Sequence, residues 1–306
     1  MKVKGRIVPI ATPLAEHEYV NEVQLRRLVD YLIGKGVHGF WANGGFGGQT
    51  YLRDEQQVRA VRIVVDQTRR RVPVLAGISD TSVTRVLDKA SRISSCGPDG
   101  LFLLITPYDS LTNSQVIAYY EDVAEHVDLP LYIYNNPWAT HHAMDSDTII
   151  RLGHHPNIVG IKDSSENPYL FVALAEHFRG SDFTLLAGTM PLDCFALSLG
   201  FDGVIDPTDQ IYTDLAVAQF EAAQAGDWAR AFSIQHRLDK IGRLLMNLGD
   251  YRAGMEACMA MLGLCERIRP RPFPAIEDPA TLAQLRAVLI DARILPSQEP
   301  ILVSPR

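Results

Sequence analysis

Short apolar runs alternate with longer stretches of helical spacing along most of the chain, and this alternation restricts the fold more than any other feature. Strands of a parallel sheet that is covered on both faces read as continuous apolar runs. A repeated order of strand and helix favours such a sheet with helices packed outside it. The runs are Ile7–Ala11, Gly39–Ala42, Val72–Ala76, Gly100–Ile105, Leu131–Tyr134, Ile158–Lys162, Thr184–Ala187 and Gly203–Ile205.

The number of runs separates two α/β architectures. An open doubly wound sheet has about six strands and a Gly-rich turn after the first of them. Here the first run continues into Thr12-Pro13, so no dinucleotide-binding turn follows it. The eight runs within residues 1–225 therefore predict a (β/α)8 TIM barrel of the α/β class, a fold of about 250 residues.

The remainder of the chain contains no further strand signal. Strand-like runs stop at Ala225-Gly226-Asp227, and residues 228–264 have the spacing of two helices with a break near Leu248-Gly249-Asp250. A Pro-rich turn at residues 269–274 precedes a last helix near Ala280–Ala292. We therefore predict a catalytic barrel over residues 1–225 and a C-terminal helical extension over residues 226–306. Helix starts are expected at Asp80-Thr81-Ser82, at Asn113-Ser114 and between Asp145 and Asp147, where the side chains suit N-caps.

Charge and composition exclude several classes of partner. The formal net charge is -7, and Arg69–Arg71 forms the one dense basic run, so binding to nucleic acid is not expected. No run approaches the 18 or so apolar residues of a membrane span. The N-terminus lacks the pattern of a signal peptide, and the four cysteines form no CxxC pair. These features predict a cytoplasmic protein with reduced thiols.

Two polar residues end neighbouring apolar runs, where the active site of a TIM barrel lies. Lys162 ends the run that begins at Ile158, and Tyr134 ends the preceding run. A lysine there either extends its stem towards solvent or projects a desolvated amine into the barrel mouth, where the neutral amine attacks carbonyl groups. Because adjacent strands lie about 4.8 Å apart, the Tyr134 phenol is within reach of that amine. Tyr134 alone is also compatible with a core aromatic role.

A Gly-rich turn follows the second run. Residues 43–49 read Asn-Gly-Gly-Phe-Gly-Gly-Gln and include Gly44, Gly45 and Phe46. Glycines permit close approach of backbone to a ligand, and exposed amides there can hold a carboxylate. A phosphate-binding P-loop is excluded because no Gly-Lys-Ser/Thr follows.

Together these segments resemble the dihydrodipicolinate synthase / N-acetylneuraminate lyase family of class I, pyruvate-dependent aldolases. The resemblance spans essentially the whole chain. The segments that match the family are Tyr134-Asn135-Asn136-Pro137, Val159-Gly160-Ile161-Lys162-Asp163-Ser164-Ser165, the Gly44–Gly48 turn, Thr106-Pro107-Tyr108 and Gly200–Ile205.

The resemblance implies a role for each matching residue. Lys162 forms an imine with a 2-oxo acid such as pyruvate, and Tyr134 shuttles protons. The amides near Gly45 and Phe46 hold the carboxylate, while the Ile205 carbonyl and Gly188 lie close to the same pocket. No metal or organic cofactor is then required, and a homodimer or homotetramer is implied.

Several positions depart from the family pattern. Gly45 and Phe46 stand where the family has two hydroxyl residues, so the hydroxyl that relays protons to the tyrosine is missing. Asp109 replaces a tyrosine shared across a dimer interface, and Ala139 replaces an arginine that holds the second substrate of the synthases. We therefore expect that the chain is not a true dihydrodipicolinate synthase. Phe46 suggests a flatter, more apolar pocket, and His141 is a candidate anion contact in place of the arginine.

The paired histidines invite a metal hypothesis, because class II aldolases bind a divalent ion through histidines. His141-His142 follows the fifth run, but His154-His155 precedes the sixth and belongs at the opposite face of the barrel. Neither pair ends a strand, and no metal site is predicted. Asp206 and Asp209, after the eighth run, are candidates for contact with a polar substrate tail or for hydrogen bonding within their loop.

Three functions remain open on the sequence. The first is a class I aldolase that acts on a 4-hydroxy-2-oxo acid, formed from or cleaved to pyruvate and an aldehyde. The second is a Schiff-base dehydratase of a 2-oxo-3-deoxy sugar acid. The third is a non-catalytic barrel that binds a 2-oxo acid.

Overall fold

Eight parallel strands close into a barrel in the computed structural model, which describes residues 2–106 and 110–296. Each strand pairs with its neighbours in the sequence, and the first pairs with the last. The strands are β1 (Gly5–Val8), β2 (Gly39–Ala42), β3 (Val74–Gly77), β4 (Gly100–Leu104), β5 (Leu131–Asn135), β6 (Ile158–Asp163), β7 (Thr184–Ala187) and β8 (Gly203–Val204). The predicted TIM barrel is confirmed.

Helices connect the strands on the outside, as a parallel barrel requires. Two of them, α5 and α6, lie between β5 and β6. The helices up to the end of the barrel are α1 (Glu22–Gly34), α2 (Asp54–Thr68), α3 (Val83–Ser94), α4 (Asn113–Glu125), α5 (Pro137–Thr140), α6 (Ser146–Gly153), α7 (Pro168–His177), α8 (Asp193–Ser198) and α9 (Thr213–Gln224).

The helix starts follow from side-chain caps. Ser82 accepts a hydrogen bond from the Arg85 amide, and Asp145 accepts one from the Thr148 amide, at two of the predicted starts. At the third, the N-cap is Thr112, one residue before the predicted Asn113. Its hydroxyl and the Gln115 side chain form a reciprocal capping box, which determines where α4 begins.

Alternation along the strands divides the core into two layers. Side chains that point into the barrel form one apolar cluster, and those that point outward pack against the helices. The inner cluster comprises Val3, Ile7, Trp41, Leu75, Phe102, Leu104, Tyr132, Tyr134, Leu186 and Ile205. The barrel is therefore filled with side chains, and a ligand must bind at its rim.

The first strand lies earlier than predicted. The expected run was Ile7–Ala11, whereas β1 covers Gly5–Val8. Pro9 has no N–H to donate to a neighbouring strand, so the ladder ends before it. Beyond Pro9, the Ala11 amide donates to the side chain of Gln210 at 2.8 Å instead. The third strand is displaced by a smaller amount, Val74–Gly77 instead of Val72–Ala76.

The C-terminal extension is helical, as predicted. It contains α10 (Trp228–Asn247), α11 (Tyr251–Met261) and α12 (Pro279–Asp291), and the first two are separated at the predicted break. Helix α10 packs on the barrel, where the side-chain amide of Gln235 donates to the Met190 carbonyl at 2.7 Å. The division at residue 225 stays a prediction. In the part of the chain that the structure describes, no helix has the length and apolar character to cross a bilayer.

Candidate active site

Lys162 and Tyr134 lie together at the C-terminal rim of the barrel. The two residues are direct partners in the β5–β6 ladder, and Lys162 Nζ donates to the Tyr134 hydroxyl at 3.3 Å. Their exposed fractions are 4% and 7%. The side-chain amide of Asn136 donates to the same hydroxyl at 3.0 Å, which orients the phenol and leaves its O–H available to donate one further hydrogen bond. The arrangement is a buried amine with a proton donor and acceptor beside it.

Aromatic rings enclose the amine. Lys162 Nζ lies 4.4 Å from the centroid of the Tyr134 ring and 5.6 Å from that of Trp41. Trp41 is itself stacked on Phe102, with 3.8 Å between ring centroids. Among the described residues, the Tyr134 hydroxyl is the hydrogen-bond partner of the amine. These rings bury the Lys162 side chain, so little water reaches its amine.

Gly188 makes room for the lysine. A Cβ at this position would lie 2.6 Å from Lys162 Cε and 2.2 Å from Ser164 Oγ. The backbone of Gly188 is fixed on both sides, because its amide donates to the Asp163 carbonyl at 2.7 Å and its carbonyl accepts from Ser164 Oγ at 3.1 Å. A residue with a side chain would therefore displace Lys162. Gly188 thus lies against Lys162, and its role in binding substrate stays a prediction.

Asp163 points away from the mouth, as expected for the next residue of a strand. It is fully buried in the outer layer and accepts hydrogen bonds from the Asn135 side chain at 2.6 Å and from the Ser165 amide at 2.9 Å. Burial raises the pKa of the Asp163 carboxyl, and these hydrogen bonds oppose the shift. Asp163 thus ties the ends of β5 and β6 together beneath the Lys162–Tyr134 pair.

The Gly-rich turn after β2 approaches the rim closely. Asn43 adopts a positive φ of 56°, and its side chain donates to the Gly77 carbonyl at 2.7 Å. A Cβ on Gly47 would lie 2.7 Å from the Asn43 amide nitrogen. The turn can be this compact because it is built largely from glycines. Gly44 is buried and Gly45 is partly exposed. The backbone of Gly45 is therefore the accessible part of this turn.

The side chain of Phe46 faces the helices rather than the barrel interior. It belongs to the outer core, with its ring edge-on to Tyr251 at 6.1 Å between centroids and the Arg252 guanidinium 5.8 Å from its centroid. Among the described residues, the contacts of this ring do not support the expectation that Phe46 flattens the pocket. Its backbone adjoins that of Gly45, and the carboxylate site at these two residues stays a prediction.

The other candidate residues have different surroundings. Ile205 is buried in the inner cluster, with its amide bonded to the Ala187 carbonyl at 2.7 Å. Ala139 lies exposed in α5, and His141 is exposed at the C-terminal end of that helix with a positive φ of 55°. Asp109 lies outside the described residues.

Asp209 belongs to a buried ion cluster and does not face the mouth. Arg6 Nη1 lies 2.8 Å from Asp193 and 3.3 Å from Asp209, and all three side chains are at most 1% exposed. Burial, together with the nearby Asp206 carboxylate, raises the pKa of Asp209 to about 7, against the opposing effect of Arg6. The hypothesis that Asp209 contacts a substrate tail is therefore wrong, because its partner is internal. Asp206 caps the following turn by accepting from the Thr208 amide at 2.8 Å.

The histidine pairs do not assemble into a metal centre. His154 and His155 follow α6 at the opposite face from Lys162, as predicted, and the His154 ring lies 5.8 Å from that of His177. Within residues 2–106 and 110–296, no group of three or more His, Cys, Asp or Glu side chains is arranged to hold a metal ion.

Sequence reasoning missed Asn136 as the second partner of Tyr134, as well as Arg252 beside the Gly-rich turn. Asn136 was visible within the Tyr134–Pro137 motif, but strand alternation does not predict that a residue after the strand turns back. Arg252 comes from the C-terminal extension, so no strand-end rule points to it.

Comparisons with known proteins agree on one family. The model of the dihydrodipicolinate synthetase family matches residues 2–289. The 4-hydroxy-tetrahydrodipicolinate synthase of Acidiphilium cryptum is 29% identical over 95% of this chain and 99% of its own. A dihydrodipicolinate synthase from Acinetobacter baumannii, solved in complex with pyruvate, is 26% identical with a TM-score of 0.89 over 96% of this chain and 100% of its own. YagE, a prophage protein of that family from Escherichia coli K12 also solved with pyruvate, is 26% identical with a TM-score of 0.88 over 95% and 99%.

Proposed function

Because the chain belongs to the dihydrodipicolinate synthetase family and is a lyase of the class I aldolase type, we propose that it forms or cleaves the C–C bond between pyruvate and an aldehyde. Its substrate is then a 4-hydroxy-2-oxo acid. The observation that carries the proposal is the 3.3 Å contact between Lys162 Nζ and the Tyr134 hydroxyl at the barrel rim. Pyruvate in the Acinetobacter baumannii and Escherichia coli structures supports the choice of 2-oxo acid.

The chemistry begins with the neutral Lys162 amine. It adds to the C2 carbonyl, and loss of water from the carbinolamine leaves a protonated imine, which withdraws electrons from C3. Tyr134, held by Asn136 at 3.0 Å, is placed to pass protons to and from the carbinolamine hydroxyl. The backbone of Gly45 and Phe46 holds the C1 carboxylate in this proposal.

Bond cleavage uses the imine as the electron sink. A base removes the proton of the C4 hydroxyl, the C3–C4 bond breaks, and its electron pair forms the enamine while the aldehyde leaves. Protonation of C3 and hydrolysis of the imine release pyruvate and return the Lys162 amine. The reverse sequence joins the two halves.

One departure from the family pattern bears on which reaction of the family this chain catalyses. Ala139 is exposed and carries no charge where the synthases have an arginine. We therefore propose that this chain is not a dihydrodipicolinate synthase proper. A homodimer or homotetramer, and a cytoplasmic location, remain part of the proposal.

Product analysis tests the reaction type. The enzyme is incubated with pyruvate and a panel of aldehydes, and separately with 4-hydroxy-2-oxo acids and 2-oxo-3-deoxy sugar acids. The proposal expects free pyruvate and an aldehyde from the second set. Loss of water without free pyruvate would establish the dehydratase instead, and imine formation without turnover across the panel would indicate a binding protein. A Lys162→Ala variant is the control for background chemistry.

A further inference from the structure

Arg252 extends from the C-terminal extension to the Gly-rich turn of the barrel. It is the second residue of α11, and its Nη2 lies 3.5 Å from the position that a Cβ on Gly45 would occupy. Its guanidinium carbon lies 5.8 Å from the centroid of the Phe46 ring. A positive charge is therefore held against the two residues whose backbone forms the proposed carboxylate site.

The space beside Gly45 is otherwise open. Among the described residues, Arg252 Nη2 is the one heavy atom outside the adjoining chain within 4 Å of the Gly45 Cβ position. Gly45 is partly exposed, whereas Gly44, Phe46, Gly47 and Gly48 are buried. The accessible gap in the turn and the guanidinium thus border the same volume.

The guanidinium has no internal acceptor in the described ranges. Arg252 makes neither a hydrogen bond nor an ion pair there, and its contact is with the face of Phe46. The acidic residues nearest to it in the sequence are engaged elsewhere: Asp250 pairs with Arg269 at 2.7 Å and Glu256 with the same arginine at 3.4 Å. A partly buried arginine without an acidic partner has donors available for an anionic ligand.

We propose that Arg252 binds the C1 carboxylate of the 2-oxo acid at the Gly45–Phe46 turn. The inference rests on the proposed function and adds a residue to its site. Gly45 and Phe46 lack side-chain hydroxyls, so their amides alone would hold the carboxylate. A guanidinium provides charge-assisted hydrogen bonds, which are shorter and stronger than those of a hydroxyl. Gly45, lacking a side chain, leaves the gap open for the carboxylate and the arginine to meet.

Imine trapping against ligand concentration tests the assignment. Cyanoborohydride traps the Lys162 adduct, intact mass measures its rate of formation, and the ligands are pyruvate and methyl pyruvate, which has the ketone but no carboxylate charge. In Arg252→Gln we expect the half-saturating pyruvate concentration to rise by about tenfold or more, with the rate at saturation retained. The half-saturating concentration of methyl pyruvate should stay within about twofold. Arg252→Lys should recover part of the pyruvate affinity, because it keeps the charge.

Controls separate the contact from a change in the turn. Arg230→Gln alters an exposed arginine at the start of α10 and should leave both ligands unaffected. An unchanged half-saturating pyruvate concentration in Arg252→Gln would overturn the inference, as would equal shifts for pyruvate and methyl pyruvate, which indicate a structural role. A wild-type protein that forms no adduct at all contradicts the proposed function itself. An adduct that does not depend on Arg252 contradicts this assignment alone.

Discussion

Tyr134 and Lys162 face each other across the β5–β6 ladder, and 3.3 Å separates the phenol oxygen from the amine nitrogen. The ladder fixes their backbones, and Trp41 and Asn136 restrict their side chains from either side. The amine is thereby surrounded by aromatic rings, and among the described residues the Tyr134 hydroxyl is the proton-transfer group that contacts it. The expected effects of substitutions follow from this geometry.

Tyr134→Phe removes the proton shuttle but keeps the ring against Trp41. Since general acid–base groups contribute about 10²–10⁴-fold, we expect turnover to fall by a factor in that range. Slow imine formation should persist, because Lys162 remains. Steady-state rates and the time course of trapping measure the two effects. Tyr119→Phe, at a half-buried position of α4 where the hydroxyl donates to the Asp80 carbonyl at 2.9 Å, is the control for loss of a phenolic hydroxyl that does not contact Lys162. Turnover within twofold of wild type would exclude Tyr134 from proton transfer.

Gly188→Ala should displace Lys162. The added methyl group would lie 2.6 Å from Lys162 Cε and 2.2 Å from Ser164 Oγ, so the lysine or the strand end must move. Overpacking of this kind costs about 1–3 kcal/mol of folding free energy, and we expect adduct formation to slow by more than tenfold. Gly34→Ala is the control, because nothing lies within 4 Å of its Cβ position. Urea unfolding and trapping rates are measured on both variants. A trapping rate in Gly188→Ala equal to that of wild type would contradict the expected displacement of Lys162.

Asp163→Ala should destabilise the rim without removing the nucleophile. The substitution leaves the buried Asn135 side chain without the acceptor that it has at 2.6 Å. Loss of a buried acceptor costs about 1–3 kcal/mol, measured as the free energy of unfolding in urea. Asp182→Ala, at an exposed loop position, should have little effect. At a temperature where the variant is folded, Lys162 should still form the adduct, and its complete absence would assign Asp163 a chemical role.

Asp209→Asn should change how stability depends on pH. The folded-state pKa of Asp209 is raised to about 7, so the native state holds a proton that the unfolded chain releases above a pKa of about 3.9. Stability conferred by that proton is present at low pH and is lost as pH rises towards 7. The unfolding free energy of wild type minus that of the variant should thus decrease by at most about 1.4 kcal/mol per pH unit over this window. A difference that is constant between pH 4 and 7 would contradict the assignment.

The periodicity of the sequence was sufficient to predict the barrel and the positions of Lys162 and Tyr134. Both inferences depend on local pattern, since buried parallel strands are continuous apolar runs and their last residues meet at one rim. The first strand was misplaced because its apolar run continues through Pro9, and the residue that receives the freed Ala11 amide is distant in the sequence.

Contacts between segments that lie far apart in the sequence could not be predicted from it. Arg252 meets Gly45 across more than 200 positions, and the ion pair of Arg6 with Asp209 joins β1 to the loop after β8. The partner of Asp209 was therefore not predicted, and the sequence indicated only contact with a substrate tail or hydrogen bonding within the loop. The orientation of the Phe46 ring could not be predicted either, because a turn built of glycines does not restrict the direction of a side chain within it.

The most direct test of Lys162 as the Schiff-base residue is borohydride trapping with pyruvate, followed by intact mass and peptide mapping of the wild type and of Lys162→Ala. We expect one pyruvate-sized adduct on the peptide that contains Lys162, and none in the folded variant. Absence of an adduct with pyruvate and with other small 2-oxo acids, or an adduct that persists in Lys162→Ala, would contradict the assignment of Lys162 as the Schiff-base residue.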